Sequence, residues 1–322
     1  MTADMEPPRL PSVYVDADGL RVNMMDGYLG EMEEEYMRGR LLPIGTDRKL
    51  SIGILTYGTQ VESLAFEVRS ADGTRLVEET QVSGMTEEDG VLKADIVLKD
   101  LIDEGTEYCV IFKLTLEDER EVSYYMRVIQ QESSGMQEKL DFVASFSEDT
   151  FDDASCAALA VYMETDSSED NSTLSRMTIH SSLDQLGWGS LDVRRETEPV
   201  FTIMDMTGQT ASIQVEYLVS YTRYEREVHA FVKEVYRIRT GTERMYLLDY
   251  ERTMSEYFSE DASSFVDEEV VLGIRDTDVE MAESEGGNIV AFAQNGVLYS
   301  LNVTENRIAR LFSFHDADNL DE

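Results

Sequence analysis

Residue types that commonly carry chemistry are scarce in this chain. Its 322 residues include two cysteines, Cys109 and Cys156, one tryptophan, Trp188, and three histidines, His180, His229 and His315. Two cysteines do not make a disulfide framework, and buried or idle thiols are expected rather than a structural bridge. The histidines never stand at i, i+3 or i+4, so no zinc-ligand spacing is present, and no Gly-x-Ser-x-Gly elbow occurs. Basic residues are few: 27 Lys and Arg against 66 Asp and Glu leave a formal net charge of −39. That field repels phosphate backbones and anionic lipid headgroups, which excludes nucleic acid and membrane-surface binding as expected functions. Self-repulsion also favours a monomer. A solvated acidic coat accounts for the charge more simply than a dedicated site for a basic ligand. No run of about 18 apolar residues and no basic-then-apolar leader is found, so a membrane is expected to be reached only through an anchor outside these residues. Of the five prolines, three fall in Met1–Pro11. Residues 1–12 therefore read as an extended tether, suited to lie just outside a removed anchor.

What is present is material for folded cores. Hydrophobic residues make up 42% of the chain and aromatic residues 9%, and the length fits two or three domains. Residues 13–131 alternate apolar and polar in short runs separated by Gly, Asp and Asn, the pattern of an antiparallel sandwich. The spacing predicts strands at 13–15, 20–22, 49–55, 63–70, 76–82, 91–98, 108–116 and 121–129. Ala71-Asp-Gly-Thr74 and Glu117-Asp-Glu119 are hairpin connections. Asp16-Ala-Asp-Gly19 opens like a calcium loop, but the twelfth loop position holds Gly27 where the motif needs Glu, so a hairpin turn is expected. An insertion at 23–47 gathers Met24, Met25, Met32, Met37, Tyr28 and Tyr36. These residue types suit an adaptable contact surface, either between domains or toward an external partner.

Leu101-Ile-Asp-Glu-Gly-Thr-Glu-Tyr108, followed by Val110, Phe112 and Leu114, resembles the corner before the sixth strand of fibronectin type III domains. The resemblance implies a Tyr108 hydroxyl bonded back to the chain upstream, closing a Greek key. The insertion departs from that family, whose first two strands are joined tightly.

After a polar linker at 130–135 the period changes. Leu140, Phe142, Val143 and Phe146, then 154–163, fall on helical spacing, with Ala157-Ala-Leu-Ala-Val161 as the expected buried face. Long strands follow at 176–180, 197–206, 211–223, 227–240 and 244–253. Helices followed by a curved sheet, over 138–257, resemble the cone-shaped α+β domains of the nuclear-transport-factor and cystatin-like kind, which can enclose a pocket. His180 lies beside Ser181, Ser182 and Asp184, the residue types of a hydrolytic triad. Neighbours on a strand point to opposite faces, so these are not expected to meet. Trp188, between two glycines, reads as a plug of the cone's core or as a ligand lid. Arg194, Arg195, Arg223, Arg226, Arg237, Arg239 and Arg244 make this the least acidic region, through cross-strand pairs or by docking an acidic neighbour. Asn171-Ser-Thr173 and Asn302-Val-Thr304 match the glycosylation acceptor pattern.

Residues 258–322 read as a β-meander, with turns at Gln294-Asn-Gly296 and Thr304-Glu-Asn306. The meander resembles one blade of a TolB-type propeller, present in a single copy. The order of parts resembles the extracytoplasmic region of uncharacterised membrane-anchored proteins of Gram-positive bacteria. Val22-Asn23, Gly27-Tyr28, Asp47-Arg-Lys-Leu50, Glu67-Val-Arg-Ser70, Thr178–Gln185, Arg244–Asp249 and Arg310–Phe314 carry that resemblance, which implies a cell-surface location and transfers no activity. The expectation is a mainly β, multi-domain, non-enzymatic binding or scaffolding region for a protein or glycan ligand. No residue is assigned to catalysis, a metal or a cofactor. The alternatives are a small-molecule-binding or hydrolytic pocket within 138–257, and a structural spacer for a downstream propeller.

Overall fold

The computed structural model describes residues 10–256 apart from 31, 89, 170, 171, 224 and 225, and then 265–266, 269–270, 281–284, 286–294, 297–304 and 307–313. The fold is mainly β, with several sheets and few helices, and among the described residues none of the sheets closes.

The first part contains ten strands, β1 (Ser12–Ala17), β2 (Leu20–Met25), β3 (Leu41–Ile44), β4 (Lys49–Leu55), β5 (Val61–Ser70), β6 (Leu76–Val82), β7 (Thr86–Glu88), β8 (Val91–Val97), β9 (Glu107–Leu116) and β10 (Glu121–Gln130). β3-β10-β9-β5-β6 form one sheet and β2-β1-β4-β8-β7 the facing run of strands. Alternation puts Leu64, Phe66 and Val68 of β5 and Val110, Phe112 and Leu114 of β9 into the core between them. At the β1–β2 turn Asp18 and Gly19 both have positive φ, 50° and 89°, and the Gly19 N–H donates to Asp16 Oδ1 at 2.8 Å. This is the hairpin chemistry expected there. Two short strands had no clear sequence signal. β3 contains Pro43, which reads as a strand breaker, but β3 is the outermost strand of its sheet, where a missing N–H costs no ladder bond. β7 is wholly exposed and polar.

β9 and β10 are apolar on both faces, and the insertion explains why. Tyr28 and Met37 pack on Cys109, Ile111 and Tyr125 of the outer face. The Tyr28 and Tyr125 rings meet edge to face at 6.0 Å, and the Met32 N–H donates to Tyr125 Oη at 3.0 Å. Much of the methionine and tyrosine content of the insertion thus covers the sandwich's own sheet, while Tyr36 remains 74% exposed.

The second part contains α1 (Met136–Asp149), α2 (Asp153–Ala158), β11 (Arg176–Thr178), α3 (Leu183–Leu186), β12 (Arg194–Arg195), β13 (Val200–Met206), β14 (Thr210–Arg223), β15 (Arg226–Thr240) and β16 (Met245–Glu256). α1 buries Leu140, Val143 and Phe146, one stripe at helical spacing. In the following helix and turn, Cys156 and Leu159 are buried and Ala157, Ala158, Ala160 and Val161 are exposed, so of the face expected to be buried only Leu159 is. α2 is only 6 residues long and passes into a 3-10 turn, so a single i, i+3 pair is enough to seat it.

β13 pairs in parallel with β2, Val200 opposite Arg21 and Phe201 opposite Val22. One sheet therefore runs β11-β16-β15-β14-β13-β2-β1-β4-β8-β7, with β12 added on β14. Buried side chains of both parts form one contiguous cluster. Side chains reinforce the seam: Arg127 Nη2 donates to the Met204 carbonyl at 3.1 Å and Gln131 Nε2 to that of Met206 at 3.3 Å. The Lys139 ammonium, buried at the start of α1, donates to the carbonyls of Ser134, Thr207 and Gly208.

Farther on, β17 (Phe265–Val266) pairs with β18 (Glu269–Val270), and β19 (Met281–Glu283), β20 (Ile289–Gln294), β21 (Val297–Asn302) and β22 (Arg307–Ser313) form an antiparallel meander. Residues 271–280 of the expected β-meander lie outside the described residues, as do His315 and Asn171. Among the described residues no helix is long and apolar enough to cross a membrane.

Candidate binding groove at the sheet seam

The space between α1 and the sheet is occupied by the chain's own side chains. Glu234 of β15 has no accessible surface; its carboxylate accepts from Ser147 Oγ at 2.6 Å, Tyr250 Oη at 2.9 Å and Tyr236 Oη at 3.0 Å. Burial pushes both phenols well above their ordinary pKa, and the Glu234 charge acts the same way, so they stay protonated donors. Arg252, equally buried, lies 3.5 Å from the centre of the Trp188 ring and donates to the carbonyls of Gln185 at 2.6 Å and Leu186 at 2.9 Å. Trp188, at φ 67°, is 2% exposed and donates its indole N–H to Thr150 Oγ1 at 3.3 Å. It is a plug within the core.

The polar run at 178–184 does not assemble a catalytic group. His180 Nδ1 lies 2.9 Å from the Glu164 carbonyl, and that bond, aided by the charges of Glu164, Glu169 and Asp166, raises the imidazole pKa. Ser181 Oγ accepts from the Thr178 N–H, and Ser182 Oγ caps α3 by accepting from the Gln185 N–H. Each side chain serves the local turn. His229 is exposed on β15. The described arginine side chains of this set meet partners within this part of the chain. Arg195 pairs with Glu148 at 2.5 Å and lies 4.6 and 4.4 Å from the Phe151 and Tyr217 ring centres, and Arg223 pairs with Glu256 at 2.6 Å. Cys109 and Cys156 are free, and burial pushes the Cys109 thiol up to about 12. Among the described residues no group of three or more His, Cys, Asp and Glu side chains is placed to hold a metal ion.

A concave site of about 370 Å³ lies where the two parts join. Its floor is the outer face of β13–β15. Because Val215, Tyr217 and Val219 point into the core, the intervening Glu216 and Leu218 point out, beside Val200 of β13 and Phe231 of β15. Its wall belongs to the sandwich: Arg21 and Met24 of β2, Leu55 at the end of β4, Tyr57, and the Asp26–Arg40 pair at 3.8 Å. Tyr57 sits at φ 47° and is 48% exposed. Burial pushes the Glu216 carboxyl above its ordinary pKa; a hydrogen bond from Gln214 and the charges of Lys233 and Arg40 oppose this without cancelling it. Of these side chains the sequence had singled out Met24 alone. The others come from segments that only the seam brings together, and the one available signal was the outward register of Glu216, Leu218 and Phe231.

A second hollow, of about 380 Å³, lies between the insertion and the outer face of β5–β9–β10. Its charges are largely satisfied internally: Glu67 accepts from Lys113 at 2.6 Å and Arg69 at 2.7 Å.

No protein-family model matches the chain, and no curated protein matches it. Among solved structures, CopC from Methylosinus trichosporium OB3b aligns with a TM-score of 0.21 and 18% identity, over 30% of this chain and 88% of CopC. Spo0M, a sporulation control protein from Bacillus subtilis, aligns with a TM-score of 0.21 and 8% identity, over 74% of this chain and 90% of Spo0M. Likeness at that level leaves the site to be read from the chain's own residues.

Proposed function

We propose that this chain is a non-enzymatic, extracytoplasmic binding or scaffolding region whose ligand-contacting surface is the groove at the β2–β13 seam. The groove itself carries the reading. It is concave, lies at the junction of two units, combines an apolar floor with a few polar groups, and holds a carboxyl displaced by burial, the features that distinguish ligand sites from ordinary surface.

The modular assignments belong to the same proposal. Tyr108 is buried, with its hydroxyl bonded to Asp103, which supports a fibronectin type III or immunoglobulin-like sandwich for 13–131. The parallel pairing of β3 with β10 is an addition to the simplest form of that fold. Helices on one face of long antiparallel strands support a cone-like α+β unit for 138–257, and the four-stranded meander supports a propeller-blade-like unit for 258–322. A cell-surface location rests on the resemblance of the order of parts to the extracytoplasmic regions of membrane-anchored Gram-positive proteins. A second reading, a hydrolytic or small-molecule pocket within 138–257, is favoured by Glu216 alone.

Thermal unfolding in the presence of oligosaccharides, short peptides and small organic acids and amines tests the proposal. At least one of these is expected to raise Tm, with the shift lost in Phe231→Arg and kept in Tyr36→Ala at the exposed tip of the insertion. Stabilisation that survives Phe231→Arg, or none from any probe, removes the groove from the account. Product release in the same mixtures transfers the function to the enzymatic reading.

A further inference from the structure

The lining of the groove narrows the class of ligand, an argument that rests on the groove being the binding surface. Two aromatic rings, Tyr57 and Phe231, border it. The Tyr57 ring is half exposed and its hydroxyl lies 3.5 Å from Ser12 Oγ, so the ring lines the groove without being enclosed by the core. Around the rings stand flat, two-pronged groups of both polarities. Arg21 and Arg40 are donors only, and Asp26, Glu198 and Glu216 are acceptors when ionised. Arg21 is positioned by the Tyr14 ring, 5.7 Å from its guanidinium.

Charge then selects among occupants. Two guanidinium groups against three carboxyls leave the lining close to neutral, and burial pushes one of those carboxyls, Glu216, toward its uncharged form. A cation would meet the guanidinium groups at the wall. An anion would first have to approach a molecule of net charge −39. A ligand carrying adjacent hydroxyls, each both donor and acceptor, satisfies both kinds of prong at once. A ligand with a flat apolar ring face also covers the aromatic rings and Leu218.

We propose that the groove takes a neutral oligosaccharide, with ring faces on Tyr57 and Phe231 and paired hydroxyls between the arginine and carboxyl side chains. The binding chemistry is hydrogen bonding and stacking, with no bond made or broken.

A printed panel of neutral, uronic acid-containing and amino-sugar oligosaccharides, probed with the whole chain, tests the class. The expected result is retention on one or more neutral glycans. Affinity should fall at least about tenfold in Tyr57→Ala and in Arg40→Gln, and persist in Tyr57→Phe, with Tm unchanged in all three. Retention confined to charged glycans, or no retention at all, overturns the saccharide assignment and leaves the groove reading to the thermal-shift test with peptides. Neutral-glycan binding that Tyr57→Ala does not weaken overturns the placement of the ligand.

Discussion

Asn23 Oδ1 accepts a 2.9 Å hydrogen bond from the backbone N–H of Ile203, 180 positions along the chain. The same side chain donates through Nδ2 to the Leu41 carbonyl at 3.0 Å, so one buried amide joins β2, β3 and β13. Asn23 also has φ 53°, a left-handed conformation that Asn tolerates better than most residues. The first and second parts of the chain meet at this residue, at two parallel backbone pairs beside it, and at the bonds of Arg127 and Gln131 across the same seam.

Asn23→Ala removes both bonds, leaves the Ile203 N–H buried without its acceptor, and puts a less tolerant residue at positive φ. Together these should cost about 2–4 kcal/mol of stability in urea denaturation. Asn23→Gly, which relieves the backbone alone, should recover about 1 kcal/mol of that loss. If Asn23→Ala cost under about 0.5 kcal/mol, the seam would not depend on this amide.

Tyr108 accepts from the Asp103 N–H at 3.1 Å and donates to Asp103 Oδ2 at 3.2 Å. Tyr108→Phe keeps the ring in the core and loses only these bonds. A loss of about 1–2 kcal/mol with unchanged far-UV circular dichroism is expected. Neutral behaviour would mean that the corner does not help close the sandwich.

Glu234 gathers three hydroxyl donors at a position with no accessible surface. Glu234→Leu strands all three and should cost about 3–5 kcal/mol, enough to threaten the fold. Glu234→Gln retains one acceptor oxygen and should fall in between. The comparison of the two midpoints in denaturant is the measurement, and equal losses would show that packing, not the polar network, sets stability here.

Two carboxyls should respond to pH with opposite sign. Burial alone would raise Glu67, but hydrogen bonds and charges from Lys113 and Arg69 outweigh it and hold the carboxyl below its ordinary value. Its contribution is therefore present above the unfolded pKa and is lost as pH falls through the lower folded value. Wild type should lose more stability than Glu67→Gln between about pH 5 and pH 3. Glu216 is raised by burial, so its contribution is present at low pH and is lost as pH rises through the raised value. Glu216→Gln should gain stability on wild type as pH rises from about 4 to 7. Stability curves of the three proteins against pH decide both points, and parallel curves would refute them.

Much of the secondary structure was legible because strand periodicity is local. The residues of β4, β6, β9 and β14 announce themselves by alternation within a few positions, and Asp18-Gly19 announces its turn by its chemistry. β3 was not legible, since Pro43 argues against a strand unless the strand is known to lie at an edge. The face of α2 was legible only at Leu159, because a run of small apolar residues fits either side of a short helix, and Cys156, outside the expected face, completes the buried pair. The groove was not legible at all. Arg21, Tyr57, Glu216 and Phe231 are ordinary residues of separate strands and turns until β2 lies against β13.

By itself the amino-acid order determined a mainly β chain with a large acidic excess, because both follow from neighbours in sequence or from composition; the corner at Tyr108 was implied only by resemblance to another family. Tertiary structure alone decided that one sheet crosses from the first part to the second, that the insertion covers its own sandwich, and that a concave site forms at the seam. Backbone N–H and C=O groups are the same at every residue, so the alternation that marks a strand carries no record of which strand will complete its hydrogen bonds.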